Sequence, residues 1–213
     1  MTPAAPLPKY LRDRYTAWRS SDYAENSSWY RRLAEKGQSP RTMVISCCDS
    51  RVNVVDMFGG EPGELFVVRN VANLVPPHRP DHQHHGTSAS VEYAVRHLKV
   101  AHIVVNGHSA CGGVKACHDL CSSDTPAPAP GDYIGQWVTL LRPAYERVAH
   151  EPDRTRRLSL LEREGVITSL QNLMTFPFVA DAVQAGNLTL HGTYLDIGSG
   201  TMSVYNPALG TFD

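Results

Sequence analysis

Nowhere in the 213 residues is there an apolar run approaching the roughly 20 that a membrane-spanning helix needs. That excludes a helical membrane protein. The opening stretch "MTPAAPLPKYLRDRY" lacks the apolar core of a secretory signal, so none is expected. No basic block stands out and the formal net charge is -1, which argues against a nucleic-acid or anionic-lipid partner. Internal repeats are absent, and the one biased tract is the Pro/Ala linker "SSDTPAPAPGD". Cysteine is scarce and odd in number, five in all, at 47, 48, 111, 117 and 121. A chain of this size needs no disulfide staples, so the pattern suits a reducing, cytoplasmic setting where cysteines bind metal, catalyse or pack.

What is present reads as an ordinary globular protein, 42% hydrophobic and 19% charged, long enough for a sizeable core and short enough for one domain over residues 1–213. Within it, residues 1–36 form an N-terminal helical arm: "LPKYLRDRYTAWRSSDYAENSSWYRRLAEKG" mixes aromatic and charged residues at helical spacing and stops at Gly37. Three β-rich apolar runs follow, "TMVISCC", "ELFVVRNVANLV" and "HIVVNGH", of the kind that buried parallel strands show. Between the last two, Val91, Ala94, Val95 and Leu98 recur at helical spacing, which gives a βαβ unit. A short helix opens at "SACGGVKACHDL", and further helices are expected around 133–149, 154–174 and 177–186. The last segment alternates apolar and polar residues around Gly198-Ser199-Gly200, a hairpin signal. The fold class is α/β: a central, mostly parallel sheet with flanking helices and an antiparallel C-terminal hairpin at its edge.

Ligands of open parallel sheets gather at the carboxyl ends of the strands. The first run ends in "CCDSR" and the third in "GHSACGG", so two reactive clusters fall on one rim of the sheet. Vicinal Cys47 and Cys48 do not suit each other as a disulfide, because their Cα atoms stand about 3.8 Å apart and a disulfide favours about 5.5–6 Å. A His-x-x-Cys pair, His108 and Cys111, joined by Cys47 supplies three sulfur and nitrogen donors. Zinc matches that donor set, and three protein ligands leave a fourth position for water. Two thiolates already cancel the metal charge, so a neighbouring Asp49 needs an offsetting cation, and Arg51 can supply it in a bidentate pair.

"CCDSR" with "HSACGG" resembles the β-class carbonic anhydrases, whose pattern is Cys-x-Asp-Ser-Arg followed by His-x-x-Cys-Gly-Gly. Similarity extends through "KGQSPRTMVISC", "GELFVVRNVANLVPP", "SVEYAVRHLKVAHIVV" and "LHGTYLDI", most of residues 30–205. The resemblance implies zinc on Cys47, His108 and Cys111, one ion per chain, with Cys48 in the variable place. It also implies reversible hydration of CO2 to bicarbonate and a proton, by attack of zinc-bound hydroxide that Asp49 orients and Arg51 steadies. Gln38, Phe66, Val71, Tyr93 and the backbone of Gly112 would line the small substrate pocket. Some bacterial members carry Trp three residues before the first ligand, where it helps build an inhibitory bicarbonate site. Val44 stands there in this chain, and with Gln38 it places the chain nearer the plant-like, open subtype. By the same analogy the basic unit is a homodimer, with higher homo-oligomers open.

Other uses of these residues are less economical. Cys111, Cys117, His118 and Cys121 would make a closed structural site and leave Cys47 unexplained. Cys48 is expected to face the sheet. Four histidines in "PPHRPDHQHHG" (His78, His82, His84 and His85) read as surface. Hydrolysis of CS2 or COS on the same metal is the rival activity. A non-catalytic zinc protein is the rival class, though a structural site needs no water-orienting carboxylate.

Overall fold

The three apolar runs become parallel neighbours in a six-stranded sheet. In the computed structural model, which describes residues 4–81, 85–122 and 127–213, they are β1 (Thr42–Cys47), β2 (Leu65–Asn70) and β3 (His102–His108). A fourth parallel strand, β4 (Thr189–Leu195), pairs with β3, and β5 (Met202–Asn206) and β6 (Thr211–Phe212) follow antiparallel, giving the order β2-β1-β3-β4-β5-β6. The expected hairpin is β4–β5, with Leu195 opposite Met202. One detail departs from the simple βαβ reading. The connection from β2 to β3 is parallel, but β1 lies between the two strands. That order arises because the apolar β1, buried from Met43 to Cys47, needs a partner on both edges, which no local pattern announces.

The protein divides into an N-terminal unit ending at Ser39 and a larger one over Pro40–Asp213. The first holds α1 (Lys9–Ser20), α2 (Asp22–Glu25) and α3 (Ser27–Lys36), none with a buried residue. Its aromatic side chains cluster among themselves, Trp18 lying 5.5 Å from Tyr23 and edge-on to Tyr30 at 5.9 Å between ring centroids.

The larger unit continues with α4 (Val54–Met57) and a 3-10 turn at Val71–Asn73. Next comes α5 (Gly86–Glu92), which runs on as a π-helical turn over Tyr93–Leu98. After β3 come α6 (Gly112–Cys121), α7 (Tyr133–Val138), α8 (Arg142–Val148), α9 (Arg154–Leu173) and α10 (Pro177–Gln184). Helix α9 is the one that positions the site. It lies tight on β3 and β4, because Gly107 and Gly192 present no side chain to it: a Cβ on Gly107 would stand 2.6 Å from Val166 Cγ2. Val166 and Leu173 join Met43, Ile45, Ile103 and Val105 in the main core. A second apolar cluster, with Leu141, Leu161 and Val114, surrounds Cys47 and Cys111. Among the described residues no helix is long and apolar enough to cross a membrane.

Candidate metal centre

Cys47 is the last residue of β1, His108 the last of β3, and Cys111 the residue that opens α6. Parallel pairing of the two strands fixes their carboxyl ends side by side, and all three residues are buried. Their ligating atoms lie within 4.8 Å of one another, and among the described residues this is the one group of its kind. The two sulfurs are 4.0 Å apart. Thiolates bound at about 2.3 Å around a tetrahedral zinc stand about 3.8 Å apart, so the pair needs almost no movement to take the ion. His108 meets the second requirement. Its Nδ1 donates to the Ser109 carbonyl at 2.9 Å, which leaves the lone pair on Nε2, a buried nitrogen with no hydrogen-bond partner. A buried imidazole lone pair beside two sulfurs is a donor set that suits a metal ion.

Charge behaviour without the ion agrees. The hydrogen bond from Cys111 pulls the Cys47 thiol down to about 4, against its burial, with the His108 side chain and then the Asp49 and Ala72 N–H groups helping. Cys111, which supplies that proton, is pushed up, burial adding to the effect. Cys47 is thus eased toward the thiolate form in which a cysteine binds a divalent cation. Burial opposes charge on His108, but the neighbouring Cys47 sulfur and the Ser109 carbonyl outweigh it and raise the imidazole.

Three polar anchors hold the ligand loops. Arg69, on β2, donates to the carbonyls of Cys47 at 2.9 Å, Asp49 at 2.6 Å and Val52 at 2.8 Å, pinning the whole "CCDSRV" turn. The backbone N–H of Ala72 donates to the Cys47 sulfur at 3.4 Å. Glu162, on α9, accepts the N–H of Cys111 at 3.1 Å. Of these, Arg69 had a signal in the sequence, a cation inside an apolar strand. Ala72 and Glu162 had none, since a backbone donor and a helical glutamate look the same everywhere.

Asp49 and Arg51 meet as expected. Arg51 Nε reaches Asp49 Oδ1 at 2.9 Å and Nη2 reaches Oδ2 at 2.7 Å, while the Arg51 N–H adds a third bond to Oδ1 at 3.0 Å. These bonds hold the Asp49 carboxyl well below the usual carboxylate range. Nη2 also donates to the Ala110 carbonyl at 3.1 Å, tying the pair to the loop that carries His108 and Cys111.

The remaining expected site residues divide. Val71 packs against the Cys47–Cys111 cluster, and Gly112 follows Cys111 directly. Phe66 and Tyr93 meet each other, with ring centroids 5.9 Å apart, but not the metal ligands of their own chain. Cys47 is level with Asn70 and Phe66 with Met43, four residues away, or about 13 Å along a strand. Gln38 belongs to the N-terminal unit. Cys48 is exposed, not turned to the sheet as expected. The rival cluster does not assemble as a site. Both ring nitrogens of His118 are engaged, Nε2 by Arg157 at 3.1 Å and Nδ1 by Asp119 at 3.2 Å, leaving only the Cys117 and Cys121 sulfurs 3.9 Å apart. Of the surface histidines, His78 meets Phe176 at a tilt and His85 pairs with Asp81, while His82 and His84 lie outside the described residues.

A Cys-His-Cys group on the carboxyl rim of a parallel α/β sheet offers three ligands, the number of a catalytic zinc protein, where a structural site has four. Residues 42–202 match the family model described as carbonic anhydrase. β-Carbonic anhydrase 3 of Arabidopsis thaliana is 33% identical over 201 residues, which is 92% of this chain and 75% of that one. The solved β-carbonic anhydrase CcaA superposes with a TM-score of 0.87 at 28% identity, covering 96% of this chain and 90% of its own. A tetrameric β-carbonic anhydrase from Sordaria macrospora gives 0.78 at 32% identity, with 96% and 97% covered. The chain belongs to the carbonic anhydrase family, in its β class, and is a zinc-using carbonic anhydrase.

Proposed function

We propose that Cys47, His108 and Cys111 hold the zinc of a reversible CO2 hydratase, and that Asp49 and Arg51 prepare the attacking water. The observation that carries this reading is the pairing of an orphaned His108 Nε2 beside two sulfurs with a carboxylate locked in place one loop away. Zinc supplies a Lewis acid that makes water ionise near neutral pH. The chain's own residues do the rest. Asp49, anchored by three bonds from Arg51, keeps free lone pairs to accept a hydrogen bond from the water and aim its oxygen at the carbon. Arg51 neutralises that carboxylate, so two thiolates and an acid can share a small site. Water and CO2 become bicarbonate and a proton, and the proton leaves to solvent or buffer. Val71 and the Gly112 backbone offer an apolar, uncrowded wall suited to an uncharged linear substrate.

Phe66 and Tyr93 complete the pocket of a second copy of the chain in this reading, which makes a homodimer the basic unit, and Gln38 is assigned to substrate by the resemblance alone. Support comes from Tyr93, which is 45% exposed although it stacks on His97 and meets Phe66. The uncovered aromatics of α1, Tyr10 and Tyr15, and the tetrameric relative add to it. A reducing, cytoplasmic setting fits five free cysteines. Val44 is wholly buried beside Val52 and Val54, and Asp49 gives both oxygens to Arg51, which supports the open subtype.

The test is CO2 hydration by stopped flow between about pH 6.5 and 9, on protein of assayed zinc content, beside Asp49→Ala. Full zinc with turnover at neutral pH, lost in the variant while zinc stays, is the expected result. Full zinc with no hydration at any pH would overturn the reading.

A further inference from the structure

We infer that Glu162 is a positioning residue for the metal: its buried carboxylate sets the Cys111 ligand loop and governs how tightly zinc is held. The inference rests on the assignment of Cys47, His108 and Cys111 as ligands. Glu162 is only 7% exposed, an unusual place for a glutamate unless its oxygens are satisfied. Both are. Oε1 accepts the Cys111 N–H at 3.1 Å, and Oε2 accepts the Tyr194 hydroxyl at 2.7 Å. Two donors on two oxygens leave the group no rotational freedom.

The supports of Glu162 are themselves fixed. Tyr194 sits on β4 level with Gly107, next to His108 on β3, and burial first, then Glu162, pushes its phenol up, so it stays a donor. Arg163, the next residue on α9, covers the Tyr194 ring at 3.9 Å. The close seat of α9 on Gly107 brings the Glu162 backbone to the same level; its carbonyl would stand 3.6 Å from a Cβ there. Glu162 thus joins α9, β4 and the first turn of α6 at the one ligand that no strand holds. Cys47 and His108 are strand residues, each held by a ladder partner, Asn70 and Leu195 respectively. Cys111 lies beyond β3, after Ala110 with its left-handed φ of 55°, and the bond to Glu162 is what fixes its backbone from outside the loop. Groups that orient ligands in this way typically change metal affinity or activity by 10–100-fold when removed.

The experiment measures zinc release into a colorimetric chelator from zinc-loaded protein, for the wild type, Glu162→Ala, Glu162→Gln and a control. The control is Thr168→Ala, which removes the hydroxyl that Arg147 reaches at 2.7 Å on the same helix without touching the ligand loop. Glu162→Ala should release zinc about 10–100-fold faster, and Glu162→Gln, whose amide oxygen still accepts the Cys111 N–H, should restore release to within a few-fold of wild type. Thr168→Ala should release zinc at the wild-type rate even where its melting temperature falls. In cobalt-substituted protein, the sulfur-to-cobalt band should shift in Glu162→Ala and not in the control. Wild-type release rates and an unshifted cobalt band in both Glu162 variants would overturn the proposal. So would equal acceleration in Thr168→Ala, which would reduce Glu162 to helix packing. Should Glu162→Ala fail to fold, Glu162→Leu, which fills the same space but cannot accept the Cys111 N–H, carries the test: faster release than the control with a shifted cobalt band supports the proposal, and wild-type release with an unshifted band overturns it. Zinc absent from the wild type, or full zinc in Cys111→Ser, would instead refute the ligand assignment beneath it.

Discussion

Adjacent glycines after Cys111 should answer the same substitution in opposite ways. Gly112 and Gly113 both lie in the first turn of α6 with φ outside the left-handed range, so alanine is conformationally allowed at each. A Cβ on Gly112 meets nothing within 4 Å. A Cβ on Gly113 would stand 2.5 Å from Val71 Cγ1 and 3.0 Å from the Ala72 Cβ. Ordinary carbon contacts are about 3.5–4.0 Å, so the Val71–Asn73 turn must move by roughly 1 Å. Overpacking of this kind costs about 1–3 kcal/mol, while replacing glycine returns about 0.4–1 kcal/mol through the unfolded chain. Gly113→Ala should therefore lose about 1 kcal/mol net and Gly112→Ala should gain a few tenths to 1. At about 2–4 °C per kcal/mol for a chain this size, melting temperatures of the zinc-loaded variants should separate by about 5 °C on opposite sides of the wild type.

Function should invert that order. The Gly112 methyl enters open space next to the metal centre, so hydration should fall with zinc and fold intact. Gly113→Ala displaces Ala72, whose N–H donates to the Cys47 sulfur, so its first symptom should be faster zinc loss. Calorimetry and stopped flow on both variants decide the matter. Melting shifts of the same sign, or a fully active Gly112→Ala, would refute the reasoning that one glycine is kept for packing and the other for access.

Arg51→Ala should keep zinc and lose about 10–100-fold in kcat/KM, by stopped flow. Because Arg51 holds Asp49 low, its stabilising effect is present above the unfolded carboxyl value near pH 4 and disappears as pH falls through the folded one, so acid unfolding of the variant should begin at higher pH than in wild type. Zinc removal should leave Cys47 and Cys111 open to oxidation: hydrogen peroxide takes two electrons from the pair, forms the disulfide and becomes water, and peptide mapping should find that linkage together with lost zinc rebinding that reductant restores. His191 is held low by burial and then by the charge of His102, so the unfolded chain binds the extra proton and stability falls as pH drops below about 6.5; His191→Gln should flatten urea-unfolding stability between about pH 5.5 and 8.

Sequence reading succeeded where the chemistry was local. The runs ending at Cys47 and His108 are strands because β-formers predominate in them, and helix α9 falls on Arg154–Leu173 against an expected 154–174. The three candidate ligands come together because Cys47 and His108 end neighbouring strands and Cys111 follows three residues after His108. What stayed hidden depends on distance through space. Strand order placed β1 between β2 and β3, and the two-residue β6 is too short to leave a pattern. Phe66 reads as a pocket residue from its motif, yet strand register carries it four positions from Cys47. A single sequence cannot distinguish a residue that serves its own site from one that serves a neighbour's.

The same logic explains why strain collects here. Among the described residues, four non-glycine positions take positive φ, and three of them, Ala72, Asn73 and Ala110, flank the metal ligands. Each costs of order 1–3 kcal/mol, so something must be gained at each turn. Ala72 turns its N–H onto the Cys47 sulfur, and Asn73 gives its carbonyl to Ser169 on α9. Ala110 turns its carbonyl to Arg51, across the gap between the two ligand loops. Two of these contacts act on charge: one draws electron density from a thiolate, and the other holds the guanidinium that balances Asp49. A centre with two thiolates and two nearby carboxylates would otherwise repel the anion that hydration requires. Arg51, the Ala72 N–H and the donors on Glu162 each offset one part of that negative charge, and the strained turns are what bring two of the three within reach.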